Sequence, residues 1–358
     1  MSTLPSISST YRDSITDATV VNISGRPFRL SSVPVDVVAT PAHSQQQCQT
    51  STSSIALNIS TDCSSGISSY SIPVPHELKH NFLKTQKKIV SSLEQDHGVT
   101  IKSTYQSITI TSQDASSIHT TASLLTDHLQ THKLNAPPTH FLAVPLVTQT
   151  DMRDTVTSIS DRIIELLIDD PQFKEVQLVG YKKFHLTLLV LNAYDDGDVD
   201  EVNKILDENA EQILNILGRD LALSLSCLSI MKGSPEKCKV LHFDVINDDN
   251  LQRIFEFRRF IMDKLDKFIS PRIKKQSFRA HATILNTKYG AKGRFNVKVN
   301  VSNVLQEGLC IQDPIAIPCI CFYKMDKDPI FGYPIENVVP LNSKSKDEII
   351  DEIREVCQ

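Results

Sequence analysis

No two of the eight cysteines have the Cys-x-x-Cys spacing of a metal or redox site; they are scattered as Cys48, Cys63, Cys227, Cys238, Cys310, Cys319, Cys321 and Cys357. That scatter fits neither a zinc ribbon nor a disulfide-dense secreted scaffold, and it suits a reducing compartment. Cys319 and Cys321 fall on one face of an expected strand, either as buried small residues or as a metal or redox pair. No apolar run approaches the roughly 20 residues of a membrane span, and the N-terminus shows no charged-then-apolar targeting pattern. A soluble intracellular chain with no membrane partner is the expectation. A strong overall charge is also missing, since the net value is −5 over 358 residues. The balance is uneven, however: Leu251 to Asn300 holds thirteen Lys or Arg against three Asp or Glu. A basic surface there favours a polyanionic substrate, while a solvated helix face accounts for part of the count.

What is present divides the chain. Residues 1–70 are crowded with Ser and Thr, include Gln45 to Gln47, and lack sustained periodicity, so they are expected to be largely disordered. The apolar patch Thr19 to Ile23 is either a docking segment or a strand that pairs elsewhere. From 71 to 133 the pattern predicts a compact β-α-β-β-α unit: an extended Ile72 to Pro75, a helix through Ile89 and Leu93, strands Gly98–Lys102 and Gln106–Thr111, and a helix Asp114–Leu129. Residues 138–342 follow as two similar halves. The first has strand His140–Val147, helix Asp151–Ile168, a strand around His185 and a helix Asp198–Leu217. The second has strands Leu221–Met231 and Lys239–Val245, helix Asp248–Phe268 and a strand around His281. Strands Ala316–Lys324 and Ile335–Leu341 come next, and residues 343–358 form a last helix from Ser345.

Two stretches echo each other across the halves: Phe184-His185-Leu186-Thr187-Leu188 and Ala280-His281-Ala282-Thr283-Ile284, 96 positions apart. On a strand, alternation puts His185 and Thr187 on one face and Phe184, Leu186 and Leu188 on the other, and the second copy behaves alike. Each therefore presents an imidazole beside a hydroxyl on an apolar anchor. Side by side, the two strands predict a cleft in which His185 and His281 act as acid and base and Thr187 and Thr283 hydrogen-bond an anionic centre. A third copy, His119-Thr120-Thr121, lies in an expected helix, where i and i+2 do not share a face, and should be inert. No carboxylate or second His accompanies either strand copy at short spacing, which disfavours a metal site, and no cofactor is implied.

The paired motifs resemble those of the 2H phosphoesterase superfamily, which carries two H-x-[ST] motifs on the strands of a duplicated α/β lobe. The resemblance implies phosphodiester chemistry on RNA-like or other nucleotide substrates, with His185 and His281 as the acid/base pair and Thr187 and Thr283 holding phosphate oxygens. Arg294, in Gly293-Arg294-Phe295-Asn296, is a pocket neighbour or a surface charge, and Tyr333, in Phe331-Gly332-Tyr333, a pocket neighbour or a core aromatic. The unit at 71–133 resembles a KH domain, although Leu83-Lys84-Thr85-Gln86-Lys87-Lys88 has no glycine where the backbone-clamping GXXG loop should be. Lys84, Lys87 and Lys88 are phosphate contacts or a solvated helix end. A KH domain directly before a 2H domain, together with Thr139-His140-Phe141-Leu142-Ala143 and Phe278 to Thr287, resembles subunits of a nuclear cointegrator complex. That implies a helicase and other complex subunits as partners, and roles in transcription and alkylation-damage repair. The expected fold class is α+β: a degenerate KH-like domain, then a duplicated two-lobed 2H fold with two antiparallel sheets flanking a cleft. The alternative to an enzyme is a nucleotide-binding or scaffold subunit that turns nothing over.

Overall fold

The computed structural model describes residues 18–23, 26–31, 60–62, 66–104, 107–173, 176, 178–289, 297–326, 328 and 332–358. Its contacts divide it into Met1–Ala56 and Leu57–Gln358. In the first unit, strands β1 (Ala18–Ile23) and β2 (Arg26–Ser31) pair antiparallel, so the apolar patch at Thr19 to Ile23 finds its partner a few residues on. Most of the Ser/Thr-rich arm, for which disorder is expected, lies outside the described residues.

The second unit begins with β3 (Ser60–Asp62), β4 (Ile67–Pro73), α1 (His76–Thr85), α2 (Lys87–His97), β5 (Thr100–Ser103), β6 (Ser107–Ser112) and α3 (Ala115–Asn135). The four strands form an antiparallel sheet in the order β3-β4-β6-β5. Alternation on β6 buries Ile108 and Ile110 against Phe82, Leu93, Ile118 and Leu125 of the three helices. The Asp114 carboxylate accepts from the N–H groups of Ser116 and Ser117 and so starts α3. One residue, Gln86, separates α1 from α2, so the glycine-free link is a kink rather than a loop. His119 and Thr121 do sit on α3, the first exposed and the second buried.

Next come β7 (His140–Pro145), α4 (Thr150–Leu167), β8 (His185–Leu191), α5 (Asp196–Glu208), α6 (Ala210–Leu217), β9 (Ala222–Leu223), β10 (Leu225–Lys232), β11 (Val240–Val245) and α7 (Asp249–Lys264). The chain closes with α8 (Pro271–Lys274), β12 (His281–Asn286), α9 (Ser302–Gln306), β13 (Ile315–Ala316), β14 (Cys319–Lys324), β15 (Ile335–Pro340) and α10 (Lys346–Cys357). The helix expected over Asp198–Leu217 is two helices, broken at Asn209, where φ is −108° and ψ 9°. Val156, Ile159, Ile163 and Leu167 give α4 one buried stripe, and Leu251, Ile254, Phe257 and Ile261 do the same for α7. Ser345 and Glu348 form a reciprocal capping box that starts α10.

The two expected sheets are one. Seven strands run in the order β10-β11-β12-β8-β7-β14-β15, every neighbouring pair antiparallel. The halves are joined where Ala282 pairs with Leu186. Past that point the strands part, and β12 continues beside Leu178 and Val179. β14 and β15 also cross to the first half. The reason lies in β7: all six of its residues are buried, so it needs a partner on each edge, and β8 takes one while β14 takes the other. One face of the sheet carries the large core, including Leu142, Val144, Leu186, Leu188, Ala282 and Ile284. On the other face α10 covers Phe141, Ala143, Cys319, Cys321, Tyr323 and Val338.

Cysteine spacing gave no sign that Cys227 and Cys310 pair; they form a disulfide across a separation of 83 residues. Cys319 and Cys321 are free and buried, as small core residues would be. The first sheet and the second are tied at the end of α3. Lys133 Nζ lies 2.5 Å from Asp198, and the Asn192 side-chain amide donates to the carbonyls of Lys133 and Ala136. Among the described residues no helix is long and apolar enough to cross a membrane.

Candidate functional site

The junction of β8 and β12 makes the cleft. Because Ala282 stands opposite Leu186 and both face the large core, their flanking residues face the other way. The antiparallel register sets His185 across from Thr283 and Thr187 across from His281. All four line one cleft of about 540 Å³, together with Lys183, Lys288, Asn286, Phe141, Val190, Met325 and Tyr333. A β-bulge between Leu142 and Ala143 shifts the β7–β8 register by one residue. That slip turns Val190 toward the cleft in place of Leu189.

Both imidazoles are fixed in the same way. Nδ1 of His185 donates to the carbonyl of Lys183 at 2.7 Å, and Nδ1 of His281 donates to the carbonyl of Arg279 at 2.7 Å. A carbonyl can only accept, so the proton of each neutral ring sits on Nδ1 and the Nε2 lone pair is left for chemistry. Nε2 of His185 meets the Thr187 hydroxyl at 3.0 Å.

Their surroundings differ. His185 packs against Phe141, with centroids 5.0 Å apart, and edge-on to Tyr333 at 5.7 Å. Burial pushes its pKa down from the usual value of 6.5 to about 4, and the nearby charges of His281 and Lys183 add to the fall against the Lys183 carbonyl bond. Tyr333 is held over the ring by Gly332, whose φ of 77° favours glycine. A Cβ at Gly332 would fall 2.7 Å from Lys183 Cγ and 2.8 Å from the Lys182 carbonyl oxygen. Lys183 Nζ in turn lies 4.7 Å over the Tyr333 ring.

Beside His281 stands a polar network that the spacing of the His-x-Thr motifs did not disclose. β11 pairs with β12 so that Asp244 is opposite His281 and His242 opposite Thr283. The Asp244 carboxylate accepts four hydrogen bonds: from Arg279 Nε at 2.9 Å, Arg279 Nη2 at 2.7 Å, the Ser229 hydroxyl at 3.0 Å and His242 Nε2 at 3.2 Å. Burial opposes its charge, but the Arg279 and Ser229 bonds prevail and hold the carboxyl below its usual pKa. His242 is fully buried and edge-on to His281, with centroids 5.5 Å apart. Burial lowers its pKa despite the carboxylate beside it. A signal did exist in the sequence: Leu241-His242-Phe243-Asp244-Val245 alternates like the His-x-Thr strands, placing His242 and Asp244 on one face. So a carboxylate and a second histidine do accompany His281, in space rather than in sequence. Among the described residues no group of three or more His, Cys, Asp or Glu is arranged to hold a metal ion.

Of the residues expected at the site, His185, Thr187, His281, Thr283 and Tyr333 therefore line one cleft, and Arg294 lies outside the described residues. Residues 138–311, which contain both His-x-Thr strands, match the family model described as the AKAP7 2'5' RNA ligase-like domain. Among solved structures, TT0787 of Thermus thermophilus is similar at 15% sequence identity, over 58% of this chain and 100% of that chain, with a TM-score of 0.37, too low to carry any statement about fold. The strands β14 and β15 lie beyond the matched residues yet complete the same sheet. The segment 138–311 is thus similar to a 2'5' RNA ligase-like domain, the kind of phosphoesterase that its paired His-x-Thr strands resemble.

Proposed function

We propose that the cleft breaks phosphodiester bonds in RNA-like ends or cyclic phosphates by two-histidine acid/base chemistry that needs no metal. The observation that carries this is the matched pair of imidazoles, each pinned at Nδ1 by the carbonyl two residues before it, with the Nε2 of His185 on the Thr187 hydroxyl of the same cleft. His185, kept neutral by burial, takes a proton at Nε2 from a water or a ribose hydroxyl as that oxygen attacks phosphorus. His281, in the wetter half, gives a proton from Nε2 to the leaving oxygen. Both then exchange protons with solvent and return to the starting state. The Thr187 hydroxyl turns from His185 Nε2 to a phosphate oxygen when substrate arrives, and Thr283 serves the opposite side. Lys183 and Lys288 add positive charge to the cleft, and Tyr333 borders it.

For the whole chain we infer a subunit resembling the activating signal cointegrator 1 complex subunit 1, in a nuclear complex with a helicase that serves transcription and alkylation-damage repair. Support comes from domain order. The β4-α1-α2-β5-β6-α3 unit stands where a KH domain would precede the 2H domain, with the β4-β6-β5 strand order of an antiparallel sheet backed by three helices. The one-residue link at Gln86 leaves no loop of the GXXG kind to clamp a nucleic-acid backbone.

The test is cleavage of a mixed pool of short single-stranded RNAs, half ending in 2',3'-cyclic phosphate, in chelator. Turnover by the parent and none by the His185→Ala, His281→Ala double variant is the expected result. Equal retention of RNA by both proteins with no turnover by either would make the cleft a binding site only.

A further inference from the structure

Arg279 lies outside β12, which begins at His281, in a stretch from Ser277 to Ala280 without regular structure. Yet its carbonyl sets the tautomer of His281. Backbone pairing reaches only as far as Ala280, whose carbonyl accepts from the Val245 N–H at 3.3 Å. What fixes residue 279 is its own side chain, held in a fork by Asp244. With four donors on its two oxygens, Asp244 has no acceptor position left for a substrate proton or a cation.

We propose that Asp244 and Arg279 are positioning residues: a clamp that holds the Arg279 carbonyl on His281 Nδ1 and keeps Nε2 aimed into the cleft. His242 and Ser229 complete the clamp. His242 shares its Nε2 proton between Ser229 and Asp244 and lays its ring against that of His281, so the carboxylate cannot rotate away from the guanidinium. The first half reaches the same end by other means, with the cationic side chain of Lys183 resting on Tyr333. This inference deepens the two-histidine reading and rests on it for its catalytic consequence, although the geometry of His281 can be read without any turnover.

The experiment uses the full chain with 15N-labelled histidine and the variants Asp244→Asn, Arg279→Gln and the double. Imidazole nitrogen shifts report the tautomer of each ring, and kinetics on a cyclic-phosphate RNA report kcat and KM separately. In the parent, at a pH high enough for the ring to be neutral, His281 shows the Nδ1-protonated tautomer. In each single variant it becomes a mixture of tautomers while His185 is unchanged. Each lowers kcat about tenfold with KM within about twofold, and the double is no slower than the slower single, because the pair acts as a unit. Should Asp244→Asn fail to fold, Arg279→Gln makes the same test from the solvent side, where the guanidinium is half exposed. An unchanged His281 tautomer in the variants would overturn the clamp, as would a raised KM with unchanged kcat in Arg279→Gln alone, which would make Arg279 a substrate contact. A parent without turnover but with variant-sensitive His281 shifts would sink the two-histidine chemistry and leave the clamp standing.

Discussion

The two sides of the cleft carry the same His-x-Thr device in opposite surroundings. On the β8 side, His185 is shut in by Phe141 and Tyr333, and its pKa falls to about 4. On the β12 side, His281 stands beside a saturated carboxylate, an arginine fork and a buried histidine. A duplicated motif makes two equal imidazoles. It is the neighbours, drawn from β11 on one side and from the Gly332–Tyr333 turn on the other, that make them unequal. Inequality is what acid/base catalysis needs, because one ring must start neutral and the other protonated.

The largest effect expected from breaking this comparison is loss of both rings. His185→Ala with His281→Ala lowers kcat by about a thousandfold or more on a cyclic-phosphate RNA, each transfer being worth on the order of a hundredfold or more alone. Next is Gly332→Ala. A methyl group there collides with backbone at Lys182 and side chain at Lys183, so urea unfolding should show a loss of about 1–3 kcal/mol. The surviving protein should have Tyr333 displaced and the His185 pKa raised toward 6.5, seen by NMR titration. Smaller again is Thr187→Val against Thr283→Val. Each lowers kcat about tenfold by removing one donor to the phosphate, and only the first alters the His185 titration, since only Thr187 bonds its Nε2.

The remaining expectation concerns stability against pH. Burial lowers the pKa values of His185 and His140 to about 4 in the fold, against 6.5 in an open chain. Between those values the unfolded chain binds more protons than the folded one, so stability rises with pH and is lost as pH falls from about 6.5 toward 4. Thermal unfolding across that window checks the direction. His185→Gln should flatten the slope, and His140→Gln should do likewise at a place away from the chemistry.

The two His-x-Thr strands were legible because period-two alternation needs only a few residues: His185 to Leu188 and His281 to Ile284 declare their faces. The helical setting of the third copy was equally legible, and α3 does separate His119 from Thr121. The joining of the halves was not. Whether β8 and β12 meet in one sheet depends on the single contact of Ala282 with Leu186 and on β7 needing β14, and long-range pairing leaves no local trace in sequence. The Asp244 network was half legible, as an alternating His-x-Asp, but its partner Arg279 is 35 positions away. The Cys227–Cys310 pair gave no signal at all, because its spacing is set by how β10 lies against the segment at Cys310.

The division of labour between the rings can be read from single-turnover cleavage by His185→Ala and by His281→Ala of a nucleotide phosphodiester with an ordinary ribose leaving group, and of its p-nitrophenyl counterpart. The p-nitrophenolate ion leaves without a proton, so a missing acid no longer matters. With His281 as the acid, the p-nitrophenyl ester restores His281→Ala to near the parent rate and leaves His185→Ala slow. Rescue of His185→Ala instead, or equal rates for both variants on both substrates, would contradict it.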